Sequence, residues 1–77
     1  MTKLPLLSGR EAVKVLAKAG FTVDRQRGSH IILRREDPAP ARTVVIPDHK
    51  EVDRRTLKSA IEQAGLTVEE FMKLLEE

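Results

Sequence analysis

The chain has 77 residues, a formal net charge of +2 and no cysteine. This length allows one small domain, expected to span residues 1–77, and leaves no room for a separate cofactor domain. The lack of cysteine excludes disulfides and thiolate metal sites, and a zinc site would need carboxylates beside the two histidines, so no cofactor or metal is predicted. The first seven residues are too short for a signal peptide, and no apolar run approaches the roughly 18 residues of a membrane span. We therefore expect a soluble, cytoplasmic protein.

The charges are unevenly distributed along the chain. Basic residues cluster between positions 25 and 35 and again between 50 and 58, whereas acidic residues gather at the C-terminus. A charged fraction of 34% is also compatible with an ordinary solvated surface. The asymmetry favours a nucleic acid or an acidic protein as partner.

A first helix is predicted over residues 9–19. Ser8–Glu11 is a capping box, in which the Ser8 hydroxyl accepts from the Glu11 amide and the Glu11 carboxylate accepts from the Ser8 amide. Gly20 provides the left-handed residue that ends a helix, and Phe21 is placed to fold back on the last turn. The apolar positions at helical spacing are Val13, Leu16 and Ala17.

Three strands follow the first helix. Gly28-Ser29 is suited to a tight hairpin connection, and the two prolines of residues 36–41 indicate a loop. The predicted strands are Phe21–Arg25, His30–Arg35 and Thr43–Ile46, the last of them stopped by Pro47.

Two helices complete the chain. Asp53 can cap the first of them, and Gly65 closes it. Its buried face is predicted to contain Leu57, Ala60, Ile61 and Ala64. Thr67–Glu70 is a second capping box, and the short helix that it begins has an apolar side formed by Phe71, Leu74 and Leu75.

The order helix, three strands, helix, helix predicts an α+β fold with a three-stranded antiparallel sheet. The connections are short, which favours a meander, and the sheet needs its apolar face covered. The helices are therefore expected on one face of the sheet. The other, open face is the natural functional surface.

Strand parity predicts which way His30 points. Side chains alternate, so His30, Ile32 and Arg34 share one face while Ile31 and Leu33 share the other. Burying an unpaired arginine or histidine costs several kcal/mol, whereas exposing one isoleucine costs about 2 kcal/mol. We expect His30 and Arg34 on the open face; the opposite register, or a bulge near Gly28, would half-bury His30.

Arg35 has the wrong parity in the preferred register. Because it stands at a strand end, its long stem is expected to extend outward to solvent.

His30 lies in a basic neighbourhood. Histidine can take or give a proton near neutral pH, and flanking arginines attract an anion such as a phosphodiester. His49, in the loop after the third strand, is a candidate for a complementary acid. Ser29 is interpreted as a hairpin residue and not a nucleophile, and Gly28 as a backbone requirement for positive φ.

The whole set of motifs resembles the HicA toxin family. The resemblance rests on Ala19-Gly20-Phe21, Arg27-Gly28-Ser29-His30, Val45-Ile46-Pro47 followed by His49-Lys50-Glu51, and the stretch from Thr56 to Leu66. It implies a double-stranded-RNA-binding-domain-like fold. It also implies a small endoribonuclease that cleaves messenger RNA, depends on His30 and is neutralised by a HicB-like antitoxin. Just after the histidine of the Gly-Ser-His motif the family often has a second histidine or an aromatic residue, whereas this chain has Ile31.

On this interpretation the substrate-binding residues are Gly28, Ser29, Arg27, Arg34, His49 and Lys50. Cleavage without a metal uses the 2′-hydroxyl of RNA as nucleophile, with His30 as general acid or base. Two alternatives remain: a non-catalytic module that binds double-stranded RNA by shape, and a protein-interaction module with a basic docking face. The chain has two aromatic residues, Phe21 and Phe71, and both are expected to be buried, so base stacking is not predicted.

Overall fold

The computed structural model describes residues 3–77 and has the predicted element order. Met1 and Thr2 belong to the N-terminal segment that is too short for a signal peptide, and they lie outside the described residues. The elements are α1 (Gly9–Lys18), β1 (Thr22–Arg27), β2 (His30–Arg35), β3 (Arg42–Pro47), α2 (Arg54–Gln63) and α3 (Val68–Glu76). Within residues 3–77, no helix is both long enough and apolar enough to cross a membrane.

Helix α1 begins and ends as its sequence predicts. Both hydrogen bonds of the capping box form, with the Glu11 amide donating to Ser8 Oγ and the Ser8 amide donating to Glu11 Oε1. At the other end Gly20 has φ 96°, and the Phe21 amide donates to the Leu16 carbonyl.

The buried face of α1 shares Leu16 with the apolar positions that indicated the helix. Ala12, Val15 and Leu16 are buried, whereas Val13 is half-buried and Ala17 is exposed. Of the three apolar positions whose spacing indicated the helix, Leu16 is buried, Val13 packs against the core, and only Ala17 lies outside it. The start of α1 approaches the end of β3 so closely that a Cβ on Gly9 would collide with the Pro47 carbonyl.

The sheet is antiparallel with strand order β1-β2-β3. On β2 and β3 the buried residues alternate with exposed or half-buried ones, so one face is covered and the other is open. β1 continues to Arg27, two residues beyond the prediction, and β3 includes Pro47 as its last residue. A bulge is present, but it lies between Val23 and Arg25 and not near Gly28.

The helices cover the inner face of the sheet. The four apolar positions predicted for α2 are all buried, and Phe71 of α3 is completely buried with Leu74 and Leu75 partly buried beside it. The segment before α1 joins this core, because the Val52 amide donates to the Leu7 carbonyl at 2.7 Å and the Leu7 side chain is buried. The predicted α+β fold with helices on one face is confirmed.

Arg35 does not extend to solvent as expected. Its guanidinium lies 4.8 Å from the centroid of the Phe21 ring, and Nη1 donates to the Ala19 carbonyl at 3.1 Å. Arg35 Nε is buried and has no hydrogen-bond partner among the described residues. The Ala19 carbonyl at the C-cap of α1 and the face of the Phe21 ring both stabilise this inward-pointing guanidinium.

Candidate active site on the open face of the sheet

A two-residue turn presents His30. Gly28 has φ 58°, and no residue other than glycine has a positive φ in the described part of the chain. This pattern is that of a type II′ hairpin turn, which requires glycine at its first central position. His30 and Arg27 face each other across this turn as Cα partners, and directly opposed residues of this kind have Cα atoms about 5.5 Å apart or closer. The structure thus places the histidine next to an arginine at the end of the hairpin.

His30 stands on the open face, as the preferred register predicts. Ile31 and Leu33 are buried, whereas His30 and Arg34 are exposed and Ile32 is half-buried between them. The β3 partners of the three open-face residues are Pro47, Val45 and Thr43. Ile32 and Val45 therefore form a small apolar strip between the histidine and Arg34, and Val45 is 39% exposed.

Side-chain and backbone hydrogen bonds hold the turn to the loop after β3. The Asp48 amide donates to the Ser29 carbonyl at 2.6 Å. Gln26 Nε2 donates to the Gly28 carbonyl at 3.1 Å and to Asp48 Oδ2 at 3.3 Å, and Arg10 Nε lies 3.3 Å from Asp48 Oδ1. We call Gln26, Asp48 and Arg10 the turn clasp. It ties β1, the loop after β3 and the first turn of α1 to the segment that presents His30.

His49 and Lys50 lie in the loop that the turn clasp holds. The His49 carbonyl accepts from the Gly9 amide at 2.8 Å, so the backbone of the loop is fixed to the start of α1. The bond between Asp48 and Ser29 therefore holds this loop against the turn that presents His30. The side chains of His49 and Lys50 face solvent.

Arg34 belongs to the other end of the open face. It is four residues from His30 on the same strand, which corresponds to about 13 Å. Its Nη1 donates to Thr43 Oγ1 at 3.2 Å, and its Nε lies 3.5 Å from Glu36 Oε1. Arg27 is therefore the predicted arginine that lies beside the histidine, and Arg34 is held toward the β2–β3 loop.

The turn clasp is the part of the site that the sequence analysis missed. Gln26 has the parity of the inner face, opposite Ile31, but it lies on an edge strand whose residues are all exposed. Asp48 follows Pro47 at the end of a strand, and a polar residue is common at such a position whatever its role. No spacing in the sequence relates these two residues, because they are brought together only by the pairing of three strands.

The described residues offer no obvious place for a metal ion. Nowhere between residues 3 and 77 do three or more His, Asp or Glu side chains form a group that could hold one.

The comparison with protein families gives one match. The model of the family described as HicA toxin of bacterial toxin-antitoxin matches residues 9–66, which is well over half of the chain. The matched segment runs from the start of α1 to the end of α2 and contains the turn, His30 and His49. A search of curated proteins found no match.

Proposed function

Because the chain belongs to the HicA toxin family of bacterial toxin–antitoxin systems, we propose that it is a toxin that cleaves messenger RNA with His30 as general acid or base. The toxin role follows from the family itself. The observation that supports the finer proposal is the position of His30, exposed on the open face and directly opposite Arg27.

The proposed reaction is an internal transesterification of RNA. The 2′-oxygen attacks the adjacent phosphorus, the bond from phosphorus to the 5′-oxygen breaks, and the products carry a 2′,3′-cyclic phosphate and a 5′-hydroxyl. His30 takes the proton from the 2′-hydroxyl or gives one to the departing 5′-oxygen, and Arg27 stabilises the charge on the phosphorane. No metal takes part in this scheme. His49 is the candidate for the second proton-transfer group, because its loop is attached to the same turn.

The expected rate is modest. General acid–base assistance of this kind contributes roughly 10² to 10⁴-fold, and one histidine with cationic stabilisation provides little beyond that. A slow ribonuclease is still toxic when no antitoxin neutralises it.

The decisive experiment compares RNA cleavage by the parent protein, His30→Ala and His49→Ala. His30→Ala should lower the cleavage rate about 10² to 10⁴-fold. Its unfolding midpoint should stay near that of the parent, because the His30 side chain is exposed and makes no hydrogen bond to the described residues. DNA of the same sequence should stay intact, and EDTA should leave the RNA cleavage unchanged. Cleavage by His30→Ala at the parental rate would show that His30 is not the catalytic group.

Other outcomes select the alternatives. Binding of double-stranded RNA without cleavage by any of the three proteins would identify a non-catalytic RNA-binding module. Capture of an acidic protein with no RNA affinity would identify a docking module.

The proposal includes an antitoxin partner of the HicB type. The family is one of paired toxins and antitoxins, and an acidic surface would complement the arginines of the open face. A short neighbouring reading frame that encodes an acidic protein is expected. Its purified product should form a stable complex with the chain and suppress RNA cleavage in the cytoplasm, where messenger RNA is present.

A further inference from the structure

Strand β1 contains a bulge that changes the face on which its later side chains lie. Val23 is the Cα partner of Leu33 and Arg25 is the partner of Ile32, so Asp24 is an extra residue without a partner on β2. Without this residue out of step, strict alternation would place Val23 and Arg25 on the same face. Val23, which is 54% exposed, lies on the side of Leu33, and after the bulge Arg25 lies on the open face with His30. Bulges commonly re-aim a side chain next to a functional site.

Arg25 and Arg27 are available for an anion. Both are exposed, and the salt bridges among residues 3–77 involve Arg10 and Arg34 but neither of these two. Arg27 is directly opposite His30. Arg25 is the diagonal neighbour of His30, and such residues have Cα atoms about 7 to 8 Å apart. Arg34, by contrast, bonds Thr43 and lies beside Glu36 at the far end of the face.

Deepening the proposed function, on which this inference rests, we propose that Arg25 and Arg27 bind two successive phosphates of a single RNA strand that runs along β1. Residues two apart on a strand are separated by about 6.6 Å, which is comparable with the separation of successive phosphates in an extended nucleic-acid strand. Arg27 and His30 hold the phosphate that reacts, and Arg25 holds the next one. Guanidinium groups suit this task because they bind phosphate oxygens through two parallel hydrogen bonds.

The test measures binding separately from cleavage. The probe is a single-stranded oligonucleotide with 2′-O-methyl groups throughout, which keeps the phosphates but lacks the nucleophile. Its affinity is measured against salt concentration for the parent, Arg25→Gln, Arg25→Lys and the matched control Arg55→Gln. Arg55 is exposed and lies on α2 in the helical layer, so this control removes the same charge away from the open face.

Arg25→Gln should weaken binding about tenfold at low salt, the loss of roughly one charge-assisted contact. The slope of log affinity against log salt should fall in magnitude by about 0.7, the value for one phosphate contact on a single strand. Arg25→Lys should retain most of the slope, and Arg55→Gln should match the parent. With cleavable RNA, Arg25→Gln should raise KM much more than it lowers kcat, because Arg25 contacts a phosphate that does not react.

The outcomes separate this inference from the proposed function. If the parent cleaves RNA and Arg25→Gln has the same slope and KM as Arg55→Gln, the role of Arg25 is wrong and the ribonuclease proposal stands. If Arg34→Gln lowers the slope and Arg25→Gln does not, the RNA follows β2 and not β1. An effect of Arg25→Gln on antitoxin binding alone would also overturn the inference. A parent protein that neither binds nor cleaves RNA overturns both.

Discussion

Removing the Asp48 side chain should loosen the turn that presents His30 at a measurable cost in stability. Asp48→Ala eliminates the hydrogen bond from Gln26, which contributes about 0.5 to 1.5 kcal/mol for a bond of this kind. It also eliminates the ion pair with Arg10, whose side chain is 80% exposed, so that contribution lies near the low end of about 0.2 to 1 kcal/mol. The backbone bond from the Asp48 amide to Ser29 remains. The expected loss in the free energy of unfolding is therefore about 1 to 2 kcal/mol.

The assay is urea unfolding of five proteins: the parent, Asp48→Ala, Gln26→Ala, the double variant and a control. Because the two side chains touch, the double-mutant cycle should give a coupling energy of about 0.5 kcal/mol or more. Glu51→Ala is the matched control, since Glu51 is exposed and takes part in no hydrogen bond or salt bridge within residues 3–77. Additive effects of the two clasp substitutions, or a loss for Asp48→Ala no larger than for the control, would refute the clasp.

Three further predictions concern the backbone around the site and one carboxylate. Gly9→Ala should destabilise by about 1 to 3 kcal/mol although alanine is the better helix former, because a Cβ there would collide with the Pro47 carbonyl; an unchanged or higher urea midpoint would contradict this. Gly28→Ala should lower the free energy of unfolding by about 1 to 2 kcal/mol, because alanine is strained at a φ of 58° although the space around the position is open. Gly28→Asn should lower it less, because asparagine tolerates this φ better. Hydrogen bonds from the Ser8 backbone and then its side chain lower the pKa of Glu11 from 4.5, so the stability that Glu11 provides is present above that value and is lost as the pH falls through the lowered pKa. Glu11→Gln should thus be less stable than the parent at pH 7, and the difference should shrink in acid; a pH-independent difference would contradict the capping role.

The parts of the fold that the sequence predicts are those that local chemistry decides. Ser8 and Thr67 begin capping boxes that form as expected, and Gly20 and Gly65 end their helices with positive φ. The face on which His30 lies is also predicted, because burying an unpaired charged or polar side chain costs more free energy than exposing one isoleucine. These features depend only on neighbours in sequence and on the parity of a single strand.

The parts that the sequence does not predict depend on contacts between elements. The close approach of Gly9 to the end of β3 is one such contact, and no helical pattern contains it. Arg35 contacts Ala19 and Phe21, which lie in the connection between α1 and β1. The alternation of apolar and polar residues in the sequence does not indicate the bulge at Asp24, although this bulge determines the face on which Arg25 lies.

The unit that folds is larger than the segment that matches the family. Leu4, Leu7 and Phe71 lie outside residues 9–66, and all three are buried in the same core as the matched segment. Each side chain of this type contributes about 1.5 to 3 kcal/mol when fully buried, and a small domain has a net stability of only about 5 to 15 kcal/mol. Lys18 adds a polar connection, because its Nζ donates to the Leu74 carbonyl of α3 at 2.9 Å. The turn that presents His30 belongs to the matched segment, but α1 and the loop that hold it are kept in place by a core that the flanking segments complete.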